Sequence, residues 1–244
     1  MSLVEFQTGL GRLLREQKSS DPLHGLNLDP NEQQYFAALP QTPGFRFCAS
    51  IQRSWCIGRA ARSAYFTLSL LPHEERDSLL NEWVDMGAGT SSFFEAEGES
   101  FLGFISKRLI DPSHELSVCQ FEQATLRASN GASTFSSPEP AGLDDPGRKL
   151  RRGSHAALVR LYADPSLIIE SLKTRAPLPP LSSEPTVLMF SPGLPELCHE
   201  PSTEEIAIWD ALDAPAPVED LLRSNTSAQT LAQLLKQGTI EYTD

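Results

Sequence analysis

The sequence predicts an α+β fold, an N-terminal helical bundle followed by a βββααα module of winged helix-turn-helix type, and three observations lead there. Apolar residues recur at helical spacing through residues 1–130, with almost no strand signal. Residues 131–153 shift to serine, proline and glycine. From residue 154 to 244, apolar runs alternate with short helix patterns and close on one extended segment.

In the first region, Ser2 and Glu5 form a capping box ahead of an amphipathic helix bearing Phe6, Leu10, Leu13 and Leu14. Asp29, Pro30 and Glu32 start a second helix with Tyr35, Phe36 and Leu39, which stops at Pro40. A long helical segment over Arg46 to Leu71 is expected to bury a stripe of Cys48, Ile51, Trp55 and Tyr65 with Phe66. After Pro72 comes a helix carrying Leu79, Leu80, Trp83 and Val84, then a turn over Gly87 to Thr90. Phe101, Leu102, Ile105 and Leu109 mark the next helix. Asp111-Pro112-Ser113 opens another, with Leu116, Cys119, Phe121 and Leu126.

Residues 131–153 read as a linker, with Pro138, Pro140 and Pro146 and four glycines across Ser129 to Gly153. The segment ends in the basic run Arg148, Lys149, Arg151, Arg152. That run reads as a solvated hinge or, alternatively, as a docking site for an acidic partner. Beyond it, Ala156 to Tyr162 is a strand candidate, and Asp164-Pro165 caps a helix with Leu167, Ile168, Ile169 and Leu172. Thr186 to Phe190 is a second strand. Ser191-Pro192-Gly193 is a turn signal, so Glu196 to His199 is expected as the return strand of a hairpin.

The stretch from Thr203 to Asp244 gives the module its type. Ser202 with Glu205 caps a helix bearing Ile208, Trp209 and Leu212, which Asp213 to Pro217 interrupts. A second helix holds Val218, Leu221 and Leu222. A third carries Ala228, Leu231, Leu234 and Leu235 and ends at Gly238, ahead of an extended Thr239 to Tyr242. Helix, turn, helix, turn, longer helix and short strand form the winged helix-turn-helix pattern, which commonly binds DNA. Here Glu204, Glu205, Asp210, Asp213, Glu219, Asp220, Glu241 and Asp244 face only Arg223 and Lys236. A DNA reader draws most of its affinity from Lys and Arg contacts to phosphate, so an acidic module of this shape points to protein or peptide instead.

Composition agrees, since a net charge of -12 disfavours nucleic acid and anionic membranes. Neither a membrane span nor a signal peptide is evident, and a cytoplasmic location is expected. Cys48, Cys56, Cys119 and Cys198 are widely spaced without a CxxC pair, as suits reduced, mostly buried thiols. His114-Glu115 begins an HExxH look-alike, but Val118 stands where the second zinc ligand belongs. Gly9 and Gly11 supply two glycines of a dinucleotide loop with no strand before them. There is neither a GxSxG elbow nor a P-loop, and His24, His73, His114, His155 and His199 are scattered. No catalytic centre is identifiable, so the chain reads as a binding subunit with neither metal nor cofactor of its own. A regulator with a helical sensor and an enzyme with a site assembled from distant residues are the other classes.

The helical half, with Trp55 to Leu71 (WCIGRAARSAYFTLSLL) and His114 to Ala128 (HELSVCQFEQATLRA), followed by a strand-rich module over Ala156 to Tyr242, resembles a known group. These are the small partner proteins of multinuclear non-haem iron dependent oxidative enzymes, which modify ribosomally made peptides in the methanobactin and 3-thiaglutamate pathways. The resemblance is nearer to the 3-thiaglutamate partner. It implies a heterodimer with a larger enzyme that carries the iron, on which the helical half docks. It also implies that a precursor's leader peptide lies along a sheet edge, in a groove between the third strand and the third helix. Carried onto this sequence, the peptide-binding residues are Glu196, Leu197, Cys198, His199, Leu231 and Leu235, with the module's own core as the other destination for the leucines. The implied reaction is oxidative removal of the β-carbon of the peptide's C-terminal cysteine.

Overall fold

The structure is a computed structural model that describes residues 2–15, 23–87, 97–223 and 226–243. It is α+β, and its chain contacts divide it into two compact units, Met1–Leu109 and Ile110–Asp244.

Among the described residues the first unit contains helices and no strand: α1 (Leu3–Arg15), α2 (Pro30–Ala38), α3 (Pro43–Ser63), α4 (Tyr65–Leu70), α5 (His73–Asp85) and α6 (Glu97–Ser106). The expected caps form. The Ser2 amide donates to Glu5 and the Glu5 amide to the Ser2 hydroxyl. Asp29 and Glu32 close the same reciprocal box at α2. The segment expected as one helix from Arg46 begins earlier, at Pro43 behind the Thr42 cap, and breaks at Ala64 into α3 and α4. Of the expected turn over Gly87 to Thr90, residues 88–90 lie outside the described residues; Gly87 itself takes a positive φ of 81°.

The expected buried stripe of α3 is corrected. Ile51, Trp55 and Tyr65 are exposed, as is Cys48, and Phe66 is half-buried. The buried face carries Ala49, Cys56 and Ala60 instead, continued by Ala64 and Leu68. The reason is steric: α3 packs against α5 and α6, and small side chains let helix axes approach closely. The neighbours supply the bulk, with Leu79, Leu80 and Trp83 from α5 and Phe101, Leu102 and Ile105 from α6. The Trp83 and Phe101 rings meet edge-on at 5.3 Å.

The second unit contains α7 (His114–Ala132), β1 (Lys149–Arg152), β2 (Ala157–Leu161), α8 (Pro165–Thr174), β3 (Thr186–Phe190) and β4 (Cys198–His199). It continues through α9 (Thr203–Ala211), β5 (Ala216–Pro217), α10 (Val218–Arg223), α11 (Ala228–Gln237) and β6 (Ile240–Tyr242). The strands form two antiparallel sheets, β5-β1-β6 and β2-β3-β4. Helix α7, expected within the helical region 1–130, packs on β2 and β3, where Phe121 meets Phe190 edge-on at 5.4 Å.

The expected linker 131–153 is not a linker throughout. It holds β1, the central strand of its sheet, with Leu150 fully buried. Nor is the basic run a solvated hinge. Arg148 lies over the Tyr242 ring at 4.0 Å, and Arg151 pairs with Glu241 at 2.8 Å. Arg152 lies over Trp209 at 4.8 Å and donates to the Trp209 carbonyl and to Asp213. Alternation puts Arg151 on the face opposite the buried Leu150, where it meets Glu241 across the ladder, while Arg152 shares the face of Leu150 and packs over Trp209 of the same core. The three strands expected for the module pair with one another as β2, β3 and β4, and the helix expected between the first two forms as α8 behind the Asp164 cap. Helices α9, α10 and α11 share a core with Leu150 of β1, Met189 of β3 and Ile240 of β6.

Candidate functional site

The predicted return strand over Glu196 to His199 is shortened to Cys198–His199, because Leu197 sits at φ +62° and cannot continue the ladder. The Ser191 amide donates to the Leu197 carbonyl, and Cys198 and His199 then pair with Phe190 and Met189. Strand β4 is a margin of its sheet, and the alternation of the ladder turns the Cys198 amide and carbonyl away from β3. Glu196 is exposed, and Leu197, Cys198 and His199 are half-buried. Burial, and then the Glu196 carboxylate, push the Cys198 thiol pKa up, so this is a protonated thiol at neutral pH. The His199 Nε2 lies 3.2 Å from the Glu205 carboxylate, whose other oxygen accepts the Ser202 amide at 2.7 Å.

Leu231 and Leu235 go to the other destination. Both are fully buried with Leu234 in the core around Ile208 and Ile240. They offer no wall to a groove in this structure, because all three leucines of α11 are taken up by packing against β6, α9 and their surroundings.

A concave surface lies instead beside β6, where a cleft of about 470 Å³ is lined by Phe135, Pro138, Arg151, Ser154, His155, Pro192, Glu241 and Tyr242, among others. Local sequence builds it. Gly238, at φ +73°, takes the left-handed cap of α11 and turns the chain into β6. Gly153 passes so close that a Cβ there would sit 2.2 Å from the Gly238 carbonyl oxygen. Across the ladder Arg151 faces Glu241, which also accepts the Ser154 amide at 3.2 Å. Tyr242 donates its hydroxyl to the Glu139 carbonyl at 3.4 Å. Burial pushes the Tyr242 pKa up, with Arg148 opposing the shift.

Strand β6 is also a margin, since β1 pairs with one side of it and no described strand lies on the other. The Thr239 carbonyl accepts the Gly153 amide and the Thr243 amide donates to the Lys149 carbonyl, so the alternate groups at Ile240 and Tyr242 point outward. Ile240 is fully buried and Tyr242 half-buried, with Gly142 and Arg148 of the chain's own preceding segment against the Tyr242 ring. The cleft thus combines apolar rings with main-chain and paired charged groups, a surface chemistry suited to holding a short extended polypeptide.

Sequence reasoning named Arg151 only within a basic run whose second reading was docking, and His155 only as a scattered histidine; it missed Phe135, whose segment reads as linker by composition, and Ser154 at the start of the next region. The available signal was slight, one apolar residue, Leu150, set between two pairs of basic residues. Among the described residues, no three His, Cys, Asp or Glu side chains converge as a metal site, and no helix is long and apolar enough to cross a membrane. No family model matches this chain, and no curated protein matches it.

Proposed function

We propose that this chain is the accessory peptide-recognition subunit of an iron-dependent oxidative complex. It binds the leader of a ribosomally made precursor and presents the precursor's C-terminal cysteine to a larger iron enzyme, which excises the β-carbon. The observation that carries the reading is the cleft along the β6 margin, where an extended peptide can pair with outward main chain while its apolar side chains meet Phe135, Pro138 and Tyr242. The β4 margin at Cys198 offers a shorter edge of the same kind. The second unit is read as a winged-helix derivative, in which α9, α10 and α11 stand for the three helices and β6 for the closing strand. The first unit is read as a helical bundle that docks on the enzyme. The acidic balance of the chain supports a peptide over nucleic acid.

The test is co-expression with a barrel-type iron enzyme and a cysteine-ended precursor from the same gene neighbourhood. The pair is expected to co-purify with iron stoichiometric to the enzyme, and the chain alone is expected to carry none. Calorimetry on the full chain should detect the leader peptide, and Ser154→Trp, which projects an indole into the cleft, should abolish that binding while leaving circular dichroism unchanged. Failure of the pair to associate, or unaltered leader binding by S154W, would remove the basis for the proposal.

A further inference from the structure

Helix α3 turns an unusual face to solvent. Phe47, Ile51 and Trp55 follow at intervals of one helical turn and are 66%, 41% and 61% exposed. Helical spacing places Gly44, Gly58 and Arg62 on the same stripe, and a Cβ at either glycine would meet nothing within 4 Å. Scattered surface hydrophobics are ordinary, but three large ones in line, beside two open glycines that leave room for an approaching backbone, form an interaction surface.

Charge indicates what fits there. Helix α3 carries Arg46, Arg53, Arg59 and Arg62 and no acid, in a chain with 32 acids and 20 Lys and Arg. Arg53 is paired with Asp85 at 2.5 Å and Arg59 with Glu97. Arg46, which helical spacing places on the other side of α3 from the stripe, donates to the Gln41 carbonyl at 2.7 Å. Arg62, on the stripe itself, has no ion pair among the described residues. A second copy laid α3 against α3 would offer Arg62 no carboxylate, because the helix carries none.

We infer that the Phe47-Ile51-Trp55 face is the docking surface for a different protein, one presenting an apolar helix bordered by a carboxylate that pairs with Arg62. It rests on the preceding reading only in identifying that protein with the iron enzyme; the surface and its chemistry stand without it. Trp55 serves as the anchor, since desolvated Trp and Arg dominate interface energetics, and the open glycines admit the partner's backbone.

The experiment uses the full chain and two designed amphipathic helices, one with glutamates flanking a leucine stripe and one with lysines there. Trp83 and Trp209 are buried, so acrylamide quenching reports chiefly on Trp55. The glutamate helix is expected to bind and shield Trp55, with Trp55→Ala weakening it by about 30-fold. Arg62→Glu should transfer the preference to the lysine helix, with circular dichroism unchanged. Equal affinity for the two helices, binding of neither, or no effect of W55A overturns the inference. So does Trp55 already shielded in the free chain, which would mean that the chain covers its own face, or a dimer of the chain that W55A dissolves. Because neither iron enzyme nor leader peptide is used, a negative result here leaves the preceding proposal standing, and the converse also holds.

Discussion

Leu235→Ala separates the two destinations that sequence reasoning left open for the third helix. Leu235 is fully buried within a cluster that includes Trp209, Leu231 and Ile240. Deleting a buried leucine to alanine removes its transfer free energy and leaves a cavity, for a cost of about 3 kcal/mol. With a urea dependence of about 2 kcal/mol per molar, the midpoint should fall by about 1.5 M. Thermal unfolding should come about 10 °C earlier for a unit of this size. The assay is urea unfolding followed by the fluorescence of Trp209, which sits in the same cluster. A lowered midpoint with unchanged slope is expected. If L235A instead left the unfolding free energy within about 0.5 kcal/mol of the wild type, the core described for α11 would be wrong, since such small effects belong to surface positions. Selective loss of peptide affinity in the same variant would then return Leu235 to a groove.

Two further outcomes follow from the chemistry of individual groups. In native protein, Cys48 should react first with a thiol reagent, Cys56 and Cys119 should be protected by burial, and Cys198 should lag because its pKa is raised, as mass spectrometry of a short alkylation series at neutral pH would register. Fast native labelling of Cys198 would contradict its placement. Glu204 accepts the Ser227 amide at 2.6 Å and the Thr230 hydroxyl at 2.8 Å, and these bonds, the amide first, hold its pKa below the usual carboxylate range. A depressed folded-state pKa contributes stability that is present above the unfolded value and is lost as pH falls through the folded one. Unfolding midpoints of wild type and Glu204→Gln should therefore converge on acidification from about pH 7 to about pH 3. A gap that stayed constant with pH would sink the assignment.

Local signals in the sequence carried much of the fold. Capping boxes at Ser2, Asp29 and Ser202 and the left-handed Gly238 cap fixed helix ends because those contacts are made within one turn. The strands at residues 157–161 and 186–190 were legible because their apolar runs are bounded by turn residues. Packing was less legible. On α3 the expected stripe ran through Cys48 and the bulky Ile51 and Trp55, whereas the buried face consists of Ala49, Cys56 and Ala60. Hydrophobicity weights a residue by its size, while close helix contact selects for smallness. The cleft was least legible. Its two walls come from a stretch read as linker and from a terminal strand, and only long-range pairing, such as Arg151 with Glu241, brings them together.

That pairing bears on how the second unit comes to exist at all. Arg151 and Glu241 are 90 residues apart, and β1 lies between two strands that both follow it late in the chain. A polypeptide emerging from the ribosome would expose Leu150 and its unpaired amides until Ile240 to Tyr242 were synthesised, so this unit can close only after that segment has emerged. A nascent fragment halted before Ile240 would lack the flanking strand that completes the β1 ladder, and its window of exposure to chaperones and proteases would stay open.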